Sequence, residues 1–241
     1  MKKLIIVTGA SKGLGLAIVN TLLQNDYRVV GIARTYTPEL AALASTYPDD
    51  LHFLPYDFSQ IEGIHVLCTS LSKQFGRPYG LINNAALGYD GVLATMHESQ
   101  IGQLLRVNVE APILMSKYLL RPMLLNQGGR IINISSIIAS TGFSGLSVYA
   151  ASKAALSGFT KSLAREVGKA GITVNEIAPG YMETGMTVGL EGEKLASIKR
   201  RSPLGRLATV DDVAGAVIYL LGDKAAMITG TSITVDGGST A

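Results

Sequence analysis

Short runs of consecutive apolar residues, rich in isoleucine and valine, alternate along this chain with longer stretches in which apolar positions return every three or four residues. The runs predict strands at roughly Leu4–Thr8, Arg28–Ala33, Leu51–Tyr56, Gly80–Asn83, Gly129–Ser135, Thr173–Ala178 and Ser232–Val235. The longer stretches predict helices over Leu14–Gln24, Ile61–Phe75, Ile101–Leu125, Tyr149–Lys169 and Val210–Leu221, with a weaker pattern around Lys194–Arg200. Strands apolar at successive positions need cover on both faces, as in a parallel sheet. Alternation with helices through right-handed crossovers gives an α/β fold: a Rossmann-like, doubly wound parallel sheet flanked by helices on both faces. Neither a linker nor a shift in composition divides residues 1–241, so one domain is expected. Two segments break the rhythm, Leu87–Thr95 and Gly180–Arg206; the second follows a strand's carboxyl end, where a lid over a ligand crevice belongs.

Composition narrows the function classes. Apolar residues make up 47% and charged residues 16%, which suits a well-packed globular protein rather than a disordered one. Net charge is only +3 and the sole basic triplet is Lys199-Arg200-Arg201, so nucleic acid is not an expected partner. The single cysteine, Cys68, rules out an intrachain disulfide, and His52, His65 and His97 have no ligand spacing, so no metal is expected. The apolar stretch Leu4–Val7 is too short for a leader core, and no 18-residue apolar run follows; a cytoplasmic protein without membrane contact is expected.

The first strand runs into Thr8-Gly9-Ala10-Ser11-Lys12-Gly13-Leu14-Gly15. Glycines let a strand-to-helix turn close tightly against a pyrophosphate, whose charge the free N–H groups of the helix N-terminus bind. The spacing Gly9, Gly13, Gly15 departs from G-x-G-x-x-G, and its position at the first strand-helix junction gives it weight. NAD sites carry an acidic residue at the end of the second strand for the ribose 2′-hydroxyl. Here Arg34 stands there, and with Lys12 it suits a 2′-phosphate, which favours NADP(H). Asp57, after the third strand, is a candidate acceptor for the adenine amino group, with Phe58 beside it.

Tyr149 and Lys153 stand at i and i+4, on one side of a helix. Free tyrosine, with a pKa of about 10, is a poor acid-base group at neutral pH, and a nearby ammonium is expected to lower that value. Alone, this spacing occurs on many surface helices. Ser136, which closes a strand upstream, could hydrogen-bond a substrate carbonyl while Tyr149 protonates it. Ser135 is the structural neighbour.

In this order the motifs resemble the short-chain dehydrogenase/reductase family over essentially the whole chain: Thr8–Gly15, Asn83-Asn84-Ala85, Asn108, Ser136, Tyr149, Lys153 and Pro179-Gly180. The resemblance implies catalytic roles for Asn108, Ser136, Tyr149 and Lys153, with Asn108 opening its helix to hold a water that relays protons to Lys153. It further implies that Asn83, Asn84 and Ala85 line the cofactor, that Pro179 and Gly180 flank it, and that Met182 and Thr184 contact the nicotinamide carboxamide. Ala86 departs from the family's usual glycine. Within the family the chain is most similar to the 3-oxoacyl-[acyl-carrier-protein] reductases, through stretches such as Gly129-Arg130-Ile131-Ile132 and Gly171-Ile172-Thr173-Val174-Asn175. That likeness implies NADPH-dependent reduction of a carrier-bound 3-oxoacyl thioester, a homotetramer formed through the long helices, and docking of acyl carrier protein near Arg130. The second basic docking position holds Ala170, beside Lys169. Two other readings stay open: a family member acting on a sugar, steroid or secondary-metabolite ketone, and a non-catalytic NADP-binding partner subunit.

Overall fold

In the computed structural model, which describes residues 2–182 and 193–241, every one of the seven expected strands forms. They are β1 (Leu4–Thr8), β2 (Arg28–Ala33), β3 (Leu51–Pro55), β4 (Gly80–Asn83), β5 (Gly129–Ile134), β6 (Ile172–Pro179) and β7 (Ser232–Val235). All pair in parallel in the order β3-β2-β1-β4-β5-β6-β7. The chain winds outward from β1 in one direction and from β4 in the other, so the connections diverge above the β1/β4 junction and leave a crevice at the carboxyl ends.

The helices are α1 (Gly13–Gln24), α2 (Pro38–Thr46), α3 (Ile64–Phe75), α4 (Glu98–Leu105), α5 (Ala111–Leu125), α6 (Ser147–Val167), α7 (Glu193–Arg201) and α8 (Val210–Leu221). One face of the sheet buries Ile5, Val7 and Ile177 under α1 and α8, through Ile18, Leu22, Val213 and Val217. The other buries Ile6, Leu81, Ile131 and Val174 under α3, α5 and α6, through Leu71, Met115, Leu119 and Leu163. With both faces covered, each central strand is buried along its length, which accounts for the unbroken apolar runs.

Two helices differ from expectation. The periodicity gives no helix after β2, yet α2 forms there, started by Thr37, whose hydroxyl accepts from Leu40 N at 3.4 Å, and by Pro38 in the first turn. The single helix expected over Ile101–Leu125 is two helices joined by a π-helical turn, Arg106–Glu110, that carries Asn108. The weak pattern at Lys194–Arg200 corresponds to α7.

Candidate active site

The turn after β1 is folded back by two hydrogen bonds, from Gly9 N at 2.7 Å and Ala10 N at 3.3 Å, to the carbonyl of Ile32 near the end of β2. Gly9 and Gly13 take φ values of +68° and +52°, where an L side chain is strained. Thr8 Oγ1 accepts from the backbone N–H of Asn84 at 2.9 Å and of Ala85 at 3.0 Å, and the Asn84 side-chain amide donates to the carbonyls of Thr8 and Gly9. The segment after β2 is tied in as well, because Thr37 Oγ1 donates to Ser11 O at 2.8 Å. Helix α1 begins after Lys12 without a side-chain cap, and the space a Cβ at Gly13 would enter is empty. The helix therefore starts with no side-chain acceptor on its first N–H groups and with open space at Gly13, as an anionic group requires. Lys12 and Arg34 are both exposed beside this turn.

Three expected cofactor residues behave differently. The ring of Phe58 is buried in the core against Tyr56, so only its backbone can face a ligand. Asp57 already accepts from Ser59 N at 2.9 Å through one carboxylate oxygen. Asn83 is 3% exposed, and its amide donates to Asn133 Oδ1 at 2.8 Å and Ser116 Oγ at 3.2 Å. Its side chain serves the sheet interior, not the crevice. Asn84 and Ala85, next along, are partly exposed at the crevice.

At the end of β5, Ser136 begins a 3₁₀ turn, its Oγ accepting from Ile138 N at 3.3 Å and lying within hydrogen-bond reach of the Tyr149 hydroxyl. One turn along α6, Lys153 is 2% exposed and donates to the Ile134 carbonyl at 2.9 Å, with its ammonium 5.7 Å from the Tyr149 ring centroid. Burial draws the Lys153 pKa down to about 8, opposed by the charge of Glu176. Burial also pushes the Tyr149 hydroxyl up to about 12; the Ser136 hydrogen bond pulls the other way, and the Asp90 charge adds to the rise. The expected lowering of the tyrosine is therefore reversed in the protein alone, because desolvation of the phenolate outweighs its neighbours.

Asn108 is 1% exposed in the π turn. Its Oδ1 accepts from Leu87 N at 2.8 Å, and its Nδ2 donates to Leu87 O at 2.9 Å and Ser152 Oγ at 3.1 Å. Ser152 in turn donates to the Tyr149 carbonyl at 2.7 Å. Asn108 thus joins the loop after β4 to the helix that carries Tyr149 and Lys153. In sequence Ser152 is marked only by its place directly before Lys153, and the Thr37 hydroxyl only by a Thr-Pro-Glu start signal; nothing local marks the Thr8 hydroxyl. Glu176 stands in the buried strand β6 with no local signal for a role.

Pro179 ends β6, and a Cβ at Gly180 would lie 2.7 Å from Asp236 Cβ, so glycine lets the ends of β6 and β7 close together. Met182 bridges to Ala208, whereas Thr184 lies outside the described residues. Arg130, expected as a docking cation, sits at the amino-terminal end of β5, away from Ser136, and is 7% exposed with its guanidinium 5.4 Å from the Tyr79 ring centroid. It presents little charge to a partner. Among the described residues no cluster could hold a metal ion and no helix is long and apolar enough to cross a membrane.

A family model described as Enoyl-(Acyl carrier protein) reductase matches residues 9–240. The 3-oxoacyl-[acyl-carrier-protein] reductase FabG of Vibrio harveyi is 36% identical over 236 residues, covering 98% of this chain and 96% of the relative. A solved short-chain dehydrogenase/reductase from Serratia marcescens superposes with a TM-score of 0.92 at 34% identity, covering 99% of this chain and 98% of that one. ElxO with NADP bound gives a TM-score of 0.92 at 31% identity, covering 99% of each chain.

Proposed function

Because the chain belongs to the short-chain dehydrogenase/reductase family, we propose that it reduces the ketone of a 3-oxoacyl thioester, carried on acyl carrier protein, to the 3-hydroxyacyl product. It is an oxidoreductase of the C=O/CH–OH pair that uses NADP(H). The observation that carries the reading of the site is the Ser136 hydroxyl within reach of the Tyr149 hydroxyl at the carboxyl end of β5, one helical turn from the buried Lys153. The carrier-bound substrate is supported by the FabG relative.

The glycine turn and the uncapped start of α1 would hold the pyrophosphate, and Lys12 with Arg34 the 2′-phosphate. NADPH, when bound, supplies the hydride. With its pKa raised, Tyr149 carries its proton at neutral pH and can give it to the carbonyl oxygen as negative charge develops there. Ser136 orients that oxygen by hydrogen bonding. The Lys153 ammonium favours the phenolate left on Tyr149, and Asn108 with Ser152 keeps the start of α6 in register with the loop at Leu87. Assembly as a homotetramer through α5 and α6, in the cytoplasm, completes the reading.

Its test is a panel of 3-oxoacyl thioesters, linked to carrier protein or to coenzyme A, beside sugar and steroid ketones, with NADPH and NADH consumption followed in parallel. We expect the thioesters to turn over fastest with NADPH, and Tyr149→Phe to abolish turnover while NADPH still binds. Preference for a sugar or steroid ketone would overturn the substrate class. Reduction by Tyr149→Phe at the wild-type rate would overturn the site.

A further inference from the structure

Glu176 is a carboxylate inside the sheet, 2% exposed on a strand that is buried from end to end. Side chains alternate along β6, so Ile177 joins the core under α1 and α8 while Val174 and Glu176 turn toward α6. An apolar residue would suit that face, as Val174 does, and a buried carboxylate costs several kcal/mol unless charge or hydrogen bonds answer it. Its Oε1 accepts from Ser157 Oγ at 3.0 Å. Ser157 is one helical turn beyond Lys153 on the same side of α6. The Lys153 ammonium rests on the carbonyl of Ile134, whose rung partner is Ile177, the residue next to Glu176.

The other groups against the Lys153 side chain are the Tyr149 ring from α6 and the Ile134 carbonyl from β5, while the Ser135 hydroxyl donates to the Lys153 main-chain carbonyl and Asn108 holds the neighbouring Ser152. None of these carries a charge at neutral pH. Among the described residues Asp90 bears on Tyr149, and the charge that bears on Lys153 is that of Glu176. We propose that Glu176 is the internal counter-charge of Lys153, a positioning residue that keeps the lysine protonated in its buried site. A catalytic ammonium buried to this degree needs such a partner, because burial alone favours the neutral amine.

The decisive measurement is the titration of Lys153 itself in the full chain, by NMR of lysine labelled with ¹³C at Cε, with the resonance assigned by its absence from Lys153→Arg. Glu176→Gln keeps the shape and the acceptor for Ser157 but removes the charge. It is expected to lower the Lys153 midpoint by about one pH unit, whereas Glu176→Asp holds it near the wild-type value. An unchanged or raised midpoint in folded Glu176→Gln overturns the proposal. If that variant fails to fold, Glu176→Met, matched to the apolar face, is read by the same criterion. The proposal rests on the reductase reading only for its significance in turnover, where the alkaline limb of kcat should move with the midpoint. The titration needs no substrate, so an inactive reductase would leave this test intact.

Discussion

The hydroxyl of Thr8 accepts two backbone hydrogen bonds, from Asn84 at 2.9 Å and Ala85 at 3.0 Å, and so ties the carboxyl end of β1 to that of β4. This single oxygen sets the floor of the crevice. Thr8→Val keeps the shape but strands two N–H groups, those of Asn84 and Ala85 directly after β4. A loss of about 1–3 kcal/mol in urea unfolding is expected, with weaker NADPH binding by fluorescence titration. Unchanged stability would show that water replaces the hydroxyl.

Two glycines of the same turn should respond differently to alanine. A Cβ at Gly15 would lie 2.0 Å from the Gly9 carbonyl oxygen and 2.7 Å from the Asn84 amide, which leaves it no room. Gly13 has open space and only its φ of +52° to oppose a methyl group. Gly15→Ala is expected to cost about 3 kcal/mol or more, and Gly13→Ala roughly 1 kcal/mol. Denaturation midpoints of equal size would contradict the geometry.

Arg34→Asp removes the planar cation expected to face a 2′-phosphate and offers an acceptor for a 2′-hydroxyl. The NADPH-to-NADH ratio of kcat/KM should fall at least about tenfold, the worth of one charge-assisted hydrogen bond. A ratio that did not move would assign the 2′-phosphate to other residues.

Lys153 gives stability a pH dependence of known sign. Its folded pKa of about 8 lies below the ordinary lysine value, so between about pH 8 and 10.4 the unfolded chain holds a proton that the folded chain has released. The stability cost of the buried ammonium is complete below that window and disappears as pH rises through it. Tyr149 acts in the opposite sense above it, since its raised pKa lets the folded chain keep a proton that the unfolded chain loses between about pH 10 and 12. Lys153→Met should therefore be more stable than the wild type at pH 7 by roughly 1–3 kcal/mol, less whatever Glu176 loses by its partner's removal. Urea unfolding at pH 7 and pH 10 would show the difference narrowing; a constant difference would refute the argument.

What the sequence disclosed follows from how local each signal is. Seven strands could be read because each central strand is apolar on both faces, and Tyr149 and Lys153 because helical spacing alone puts them on one side of α6. The π turn at Asn108 could not be read, since the residues around it keep a helical pattern and the turn is held by contacts with Leu87, 21 positions away. Helix α2 has only Leu40 fully buried, too little apolar surface to show as periodicity, though Thr37-Pro38-Glu39 marked its start. The direction of the Tyr149 shift was likewise hidden. It depends on how much protein surrounds the hydroxyl, which spacing does not encode. Arg130 reads as a surface cation in sequence and is buried over Tyr79 in the fold.

The amide of Asn83 bonds to Asn133, and that of Asn133 to Thr160 Oγ1 at 2.8 Å, so a polar seam crosses β4, β5 and α6 inside an otherwise apolar layer. A sheet whose strands are greasy on both faces has little in its apolar pattern to say how far one strand should slide along the next. The seam supplies that information. Any slippage of β4 against β5 would strand two carboxamides in the core, at a penalty the apolar side chains could not impose. The same chain of amides fixes the height at which β5 hands over to Ser136 and the level at which α6 presents Tyr149. Alignment of the two hydroxyls is thereby decided from Thr160, about three helical turns beyond Tyr149.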